Sequence, residues 1–167
     1  HGLIGKQNLY EHSMRVPLIV AGPGIAADQR SAAMCYLFDV IPTLGALSGV
    51  AGPKTSEGLD LSATLRNPAT PARTSLMFAY QKVQRSLRDE RYKLIRYPQV
   101  DRTQFFDLVA DPAERTDLSG RPEHAARITA MTAALAAEMK RVDDPAELTV
   151  ASPRPAAWSP PPVRVKK

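Results

Sequence analysis

The hydrophobic positions of this chain change period along its length. Between Arg15 and Ala21 they are continuous: Val16, Pro17, Leu18, Ile19 and Val20, closed by Gly22-Pro23-Gly24. A short unbroken apolar run bounded by turn residues predicts a strand buried on both faces. Such strands lie in helix-covered sheets, so the run predicts an α/β layer whose other strands lie outside this chain. Ser31 to Tyr36 is a second short strand candidate. Asp39 fits a helix N-cap, with Pro42 tolerated in the first turn. The helix then runs from Val40 to Ser48 and stops near Gly49 and Gly52. Pro53, Pro68, Pro71 and small polar residues make 53–75 a connecting stretch.

Beyond residue 75 the period becomes two. Leu76 to Val83 is a strand candidate. Gln84–Arg88 and Arg91–Tyr97 flank Asp89-Glu90 as the arms of a hairpin. Tyr92, Leu94 and Arg96 alternate with Lys93, Ile95 and Tyr97, and the hairpin's charges read as a solvated face. Gln104 to Leu108 is a further strand, ended by Asp111-Pro112. A helix comes next, with Pro122 in its first turn and Glu123 near the positive end of its dipole. Ile128, Met131, Leu135, Met139 and Val142 share one stripe at helical spacing, which is a packing face. His124, where this helix begins, reads as a surface residue. From Asp143 onward the chain is proline-rich and irregular, and Trp158 is the residue placed to anchor that tail.

Composition narrows the classes. The chain has 167 residues, 44% hydrophobic and 23% charged, which suits a globular domain rather than a disordered one. No apolar run reaches the roughly 18 residues of a membrane helix. The first residue is His1 and no export signal comes after it, so the start reads as a point inside a longer protein. Net charge is +5, with part of the excess in Arg154, Arg164, Lys166 and Lys167. No basic helix, RNP-like aromatic pattern or zinc-finger spacing accompanies it, so nucleic acid is not an expected partner. Cys35 is the only cysteine. It excludes an internal disulfide, and its apolar neighbours predict a buried, inert thiol.

The densest polar cluster is His1, Lys6, Gln7, Asn8, Tyr10, Glu11, His12 and Arg15. A lysine in a Gly-rich loop ahead of a strand is suited to an anion such as sulfate or phosphate. Glu11 and Arg15 are placed to pair and brace the loop from behind. His1 either faces a pocket or packs the loop. His12 either lines a substrate pocket or bonds nearby backbone.

Four blocks carry a family resemblance. The stretch His1-Gly-Leu-Ile-Gly-Lys6 through Tyr10-Glu11 to Arg15-Val-Pro17 resembles the segment of type I sulfatases, in the alkaline-phosphatase superfamily, that comes after their metal-binding motif. Phe38-Asp39-Val-Ile-Pro42-Thr43-Leu44 resembles that family's helix start. Arg85-Ser-Leu-Arg88-Asp-Glu-Arg91-Tyr92-Lys93-Leu-Ile resembles its hairpin. Phe106-Asp107-Leu108-Val-Ala-Asp111-Pro112-Ala-Glu114, with Asp117-Leu118, resembles its Asp-Pro block. All four stand in family order between residue 1 and about residue 142.

The resemblance implies the end of an alkaline-phosphatase-like α/β sandwich, followed by a small α+β subdomain of antiparallel sheet and helix. Its boundaries are 1–52 for the catalytic-domain portion, 53–75 for the connection, 76–142 for the subdomain and 143–167 for a basic tail. It implies hydrolysis of an organic sulfate ester, a small molecule or a sulfated glycan. Lys6 matches the lysine of the sulfate cradle, with His1 and His12 nearby toward substrate. It further implies a divalent metal, calcium in most members, a formylglycine nucleophile, and a periplasmic or extracellular parent. This chain departs from the pattern in lacking the Cys/Ser-x-Pro-x-Arg motif and the Asp-Asn/His-Gly motif. Nucleophile and metal ligands are therefore expected outside it, and the chain alone is expected to be inactive and poorly soluble. A phosphonate or phosphodiester hydrolase of the same superfamily, or a non-catalytic binding module, are the alternatives.

Overall fold

A computed structural model describes residues 7–157 of the chain. Four α-helices and four strands, with three short 3-10 turns between them, make up the described elements. The helices and strands are α1 (Glu11–Met14), α2 (Val40–Ser48), α3 (Ser62–Arg66), β1 (Leu76–Tyr80), β2 (Gln84–Arg88), β3 (Tyr92–Tyr97), β4 (Arg102–Asp107) and α4 (Ala125–Arg141). The strands form one antiparallel meander in the order β1-β2-β3-β4. The hairpin register pairs Arg88 with Lys93 and Leu87 with Leu94. Asp89 closes the turn by accepting the Arg91 and Tyr92 amides at 2.9 and 2.7 Å.

Both faces of the sheet are covered. On one face Leu87, Leu94 and Phe105 pack against Met131, Leu135 and Met139 of α4, with Ile128 at the edge. The helical stripe therefore does what its spacing predicts. Full burial of a side chain such as Leu135 stabilises by about 1.5–3 kcal/mol. On the other face Ile95 and Phe106 pack against Leu9, Tyr10 and Leu108. The segment just after residue 6 is thus part of the core, although its sequence reads as a loop.

Three expectations are corrected. Residues 15–21 form no strand, and Val16, Leu18 and Ile19 are exposed, Ile19 by 90%. A strand needs a ladder partner for its amides and carbonyls, and the described sheet is filled by β1 to β4 without this run. Ser31 to Tyr36 likewise forms no strand. Most of the hairpin cations are not solvated: Lys93 is fully buried, and Arg85 and Arg96 nearly so, while Arg91 stays exposed. Alternation gave each strand two faces, but covering both faces forces the cations to find partners inside. Arg85 meets Asp144 at 2.6 Å, and Arg96 donates to the Leu148 carbonyl at 2.7 Å and to Asp101.

His124 is also drawn in. Its ring lies 6.0 Å from that of Tyr92 and 5.6 Å from that of Phe105. The irregular stretch after α4 runs close enough to the sheet for Ala146 and Leu148 to join the α4-side core. Trp158 lies outside the described residues. No helix among them is long and apolar enough to cross a membrane.

Candidate functional site

The polar cluster at the start of the chain is the candidate site, and the sheet anchors its described residues. Leu9 and Tyr10 are buried, as is Asn8 at 2% exposure. Asn8 Oδ1 accepts the Tyr10 amide at 3.1 Å, folding the chain back before α1. The Tyr10 hydroxyl donates to Gln104 Oε1 at 2.8 Å, and Tyr97 donates to the same oxygen at 2.9 Å. Burial above all, with the Tyr10 hydroxyl beside it, pushes the Tyr97 phenol far above its ordinary value. It is a permanent donor.

Behind this segment lies an ionic cluster in the sheet face. Lys93 Nζ donates to Glu11 Oε1 at 2.9 Å and lies 2.9 Å from Glu114 Oε1, the second contact being an ion pair without hydrogen-bond alignment. Glu114 Oε2 accepts the backbone amide of Glu11 at 2.6 Å. Arg88 Nε is 3.5 Å from Glu11 Oε1. Two cations and two carboxylates thus balance in a site where an unpaired charge would cost several kcal/mol. Glu114 holds the left-handed backbone region, φ 53°, which opposes an L side chain. The turn that leads to it is built by Asp111, whose Oδ2 accepts the Arg115 and Thr116 amides at 2.7 Å each.

A second cluster secures the connecting stretch. Asp39 is fully buried, yet it does not cap α2 with its side chain. It accepts the Tyr36 amide at 2.7 Å and the Leu59 amide at 2.8 Å, and pairs with Arg73. Thr43 donates to the Asp39 carbonyl at 2.6 Å and accepts the Leu61 amide at 2.9 Å. The Asp-x-x-x-Thr spacing therefore staples residues 59–61 to α2. Gly58 belongs to the same staple: a Cβ there would stand 2.6 Å from the Phe38 carbonyl oxygen. Cys35 is half-buried beside it, and burial, then Asp39, raise its thiol above the ordinary value. That setting suppresses the thiolate.

The sequence-predicted residues separate. His1 and Lys6 lie outside the described residues. Glu11 is drawn inward to Lys93, and among the described residues no ion pair joins it to Arg15, which is exposed. The two are joined only through backbone, Arg15 N donating to Glu11 O at 2.8 Å. His12 is exposed and stacks on the Tyr10 ring at 5.8 Å. Lys93 and Glu114 were missed as partners of this segment. The available signal was the period of two, which puts Lys93 on the same face as Ile95 between apolar neighbours. Nothing in the sequence tells that a segment some eighty residues upstream covers that face.

Among the described residues no group of three His, Cys, Asp or Glu side chains is placed to hold a metal ion. These residues therefore do not fit a metal centre, and Cys35 does not fit an activated nucleophile.

Comparison with known proteins agrees with this architecture. The family model for N-sulphoglucosamine sulphohydrolase, C-terminal, matches residues 1–142. An N-acetylglucosamine-6-O-sulfatase of Bacteroides thetaiotaomicron is 33% identical over 138 residues, 75% of this chain and 25% of that protein. A choline-sulfatase of Rhizobium meliloti is 34% identical over 127 residues, 72% of this chain and 24% of that protein. The solved phosphonate monoester hydrolase of Silicibacter pomeroyi superposes with a TM-score of 0.71 at 21% identity, over 82% of this chain and 31% of that one, a likeness of fold. The chain spans about a quarter of the length of the curated relatives it matches.

Proposed function

The chain belongs to the N-sulphoglucosamine sulphohydrolase C-terminal family, and from that premise we propose that it serves as the C-terminal part of a sulfatase. The reaction is hydrolysis of an organic sulfate ester to an alcohol and sulfate, with a sulfated sugar as the substrate class. The observation that carries this reading is the match over residues 1–142, which includes Lys6 and the whole segment docked behind it. Two relatives named as sulfatases support the reaction, and the one named for an amino sugar supports the substrate class.

Lys6 is the residue of this chain assigned to the chemistry. A sulfuryl group in transfer carries negative charge on its oxygens, and a fixed ammonium stabilises that charge without reorganising. His1 and His12 are assigned to the substrate side of the same loop. His12, exposed on the Tyr10 ring, is open to solvent and suited to that role. Glu11 supports the loop through Lys93, and Arg15 continues it at the surface. The divalent metal, calcium in this reading, and the formylglycine nucleophile belong to polypeptide beyond residues 1–167. When present they supply charge neutralisation and the attacking group.

The test is turnover of sulfate esters by the protein that carries this chain, with Lys6→Ala beside it. Loss of one such contact is expected to lower kcat by about 100- to 1,000-fold. An unchanged kcat removes Lys6 from the cradle. A second reading, hydrolysis of phosphonate or phosphate diesters, is favoured by the fold shared with the phosphonate monoester hydrolase. Higher kcat/KM on a phosphonate monoester than on a sulfate ester would replace the first reading with the second.

A further inference from the structure

We propose that Lys93 is a positioning residue: with Glu11 and Glu114 it forms a buried ionic clamp that fixes the register of the segment leading from Lys6. The inference rests on the sulfatase reading only for what Lys6 does, not for the clamp itself.

The apolar contacts of this segment, Leu9 and Tyr10 on Ile95 and Phe106, are non-directional. They hold the segment down but tolerate a shift along the sheet. The clamp is directional. Lys93 Nζ contacts Glu11 Oε1 and Glu114 Oε1, each at 2.9 Å, while Glu114 Oε2 takes the Glu11 amide at 2.6 Å. One residue of slip would break both contacts to Glu11 and leave the fully buried Lys93 ammonium with Glu114 alone. An apolar residue at position 93 would fill the same space at no desolvation cost, so packing alone does not require a charge there. Glu114 supplies a second, independent observation. It is 2% exposed and keeps a left-handed backbone, a conformation that persists only where the surroundings over-determine it. Its carboxylate holds the Glu11 main chain directly and the Glu11 side chain through Lys93. Asn8, two residues after Lys6, is also buried. Lys93 of the sheet and Glu114 beyond it thereby hold a segment some eighty or more residues earlier.

Hydrogen exchange in the protein that carries this chain is the direct test. In Lys93→Met the amides of Tyr10 to Arg15 are expected to exchange about 100-fold faster or more, as for loss of one partner of a buried ion pair. Amides of α4, on the opposite face, keep their protection. Glu11→Gln, which keeps the acceptor oxygen and the shape, gives a smaller acceleration confined to the same amides and serves if Lys93→Met does not fold. Unchanged exchange of residues 10–15 in both variants overturns the clamp.

The functional half is read by a double-mutant cycle in the protein that carries this chain. If Lys93 acts through Lys6, Lys93→Met lowers kcat more than it raises KM, and has little further effect once Lys6→Ala is present. An equal loss in both backgrounds assigns Lys93 to general stability and overturns the positioning role. If Lys6→Ala alone changes nothing, the sulfatase assignment of Lys6 fails, and the exchange result still decides the clamp.

Discussion

Residues 16–50 and 76–141 are both rich in apolar side chains, yet they end up in opposite environments. In the second region Leu94, Ile95, Phe105 and Leu135 are fully buried. In the first, Ile19 is 90% exposed, Leu37 74% and Val50 66%, and Ile41, Leu44 and Leu47 of α2 also face outward. The difference lies in closure. The four-stranded sheet has α4 on one face and residues 8–14 on the other, so its central apolar positions meet partners on both sides. Residues 16–50 hold a run with no ladder and a helix with one side bare. An apolar surface of that extent is atypical of a finished monomer.

The largest expected effect tests this directly. Leu135→Ala should destabilise by about 2–5 kcal/mol, the range for a buried leucine that leaves a cavity. Ile19→Ser should change stability by no more than about 0.5 kcal/mol while reducing self-association. Denaturant unfolding with sedimentation of both variants checks the contrast; equal losses of stability would show that residues 16–50 are packed in solution.

Next in size is the ion pair that ties the stretch after α4 to β2. The Arg85 guanidinium holds the Asp144 carboxyl below its ordinary value of 3.8, with burial opposing it. A depressed carboxyl contributes stability above its unfolded value and loses it as pH falls through the folded one. The contribution is therefore complete at neutral pH and fades only below about pH 3.8. Asp144→Asn should cost about 1–3 kcal/mol at pH 7. Its gap from the parent should close as acid protonates Asp144, as monitored by thermal unfolding at pH 7 and at pH 2.5. A gap that widens in acid would refute the assignment.

The smallest effect sharpens the comparison by leaving packing out. Gly49 ends α2 at φ 71° with nothing near its missing Cβ. Gly49→Ala should cost on the order of 1 kcal/mol from backbone alone, even though the helix lies in the open region. A thermal melt that does not move would mean that α2 contributes little to the folded state.

Much of the local chemistry was legible, although the runs at 15–21 and 31–36 read as strands and form none. The helix Val40–Ser48 with its glycine stop, the hairpin about Asp89-Glu90, and the stripe of α4 all appear where period and turn residues put them. The family was legible too, because its blocks are short, ordered and local. Other features were illegible for a shared reason. Asp39 stands at the N-cap position of α2, as it reads, but its carboxylate bridges Leu59, Tyr36 and Arg73 instead of bonding the helix amides. The hairpin cations read as solvated, because one strand's pattern cannot show what covers it.

Sequence alone specified helix α2 with its glycine stop, the hairpin turn at Asp89-Glu90 and the packing stripe of α4, since each depends on residues within a few positions of one another. Only the tertiary structure decided that Lys93 is buried, that Glu11 turns to it rather than to Arg15, and that Leu9 and Tyr10 are core. Those outcomes depend on contacts across some eighty residues. A buried charge takes whichever partner the fold brings within reach, and sequence distance has no part in that choice.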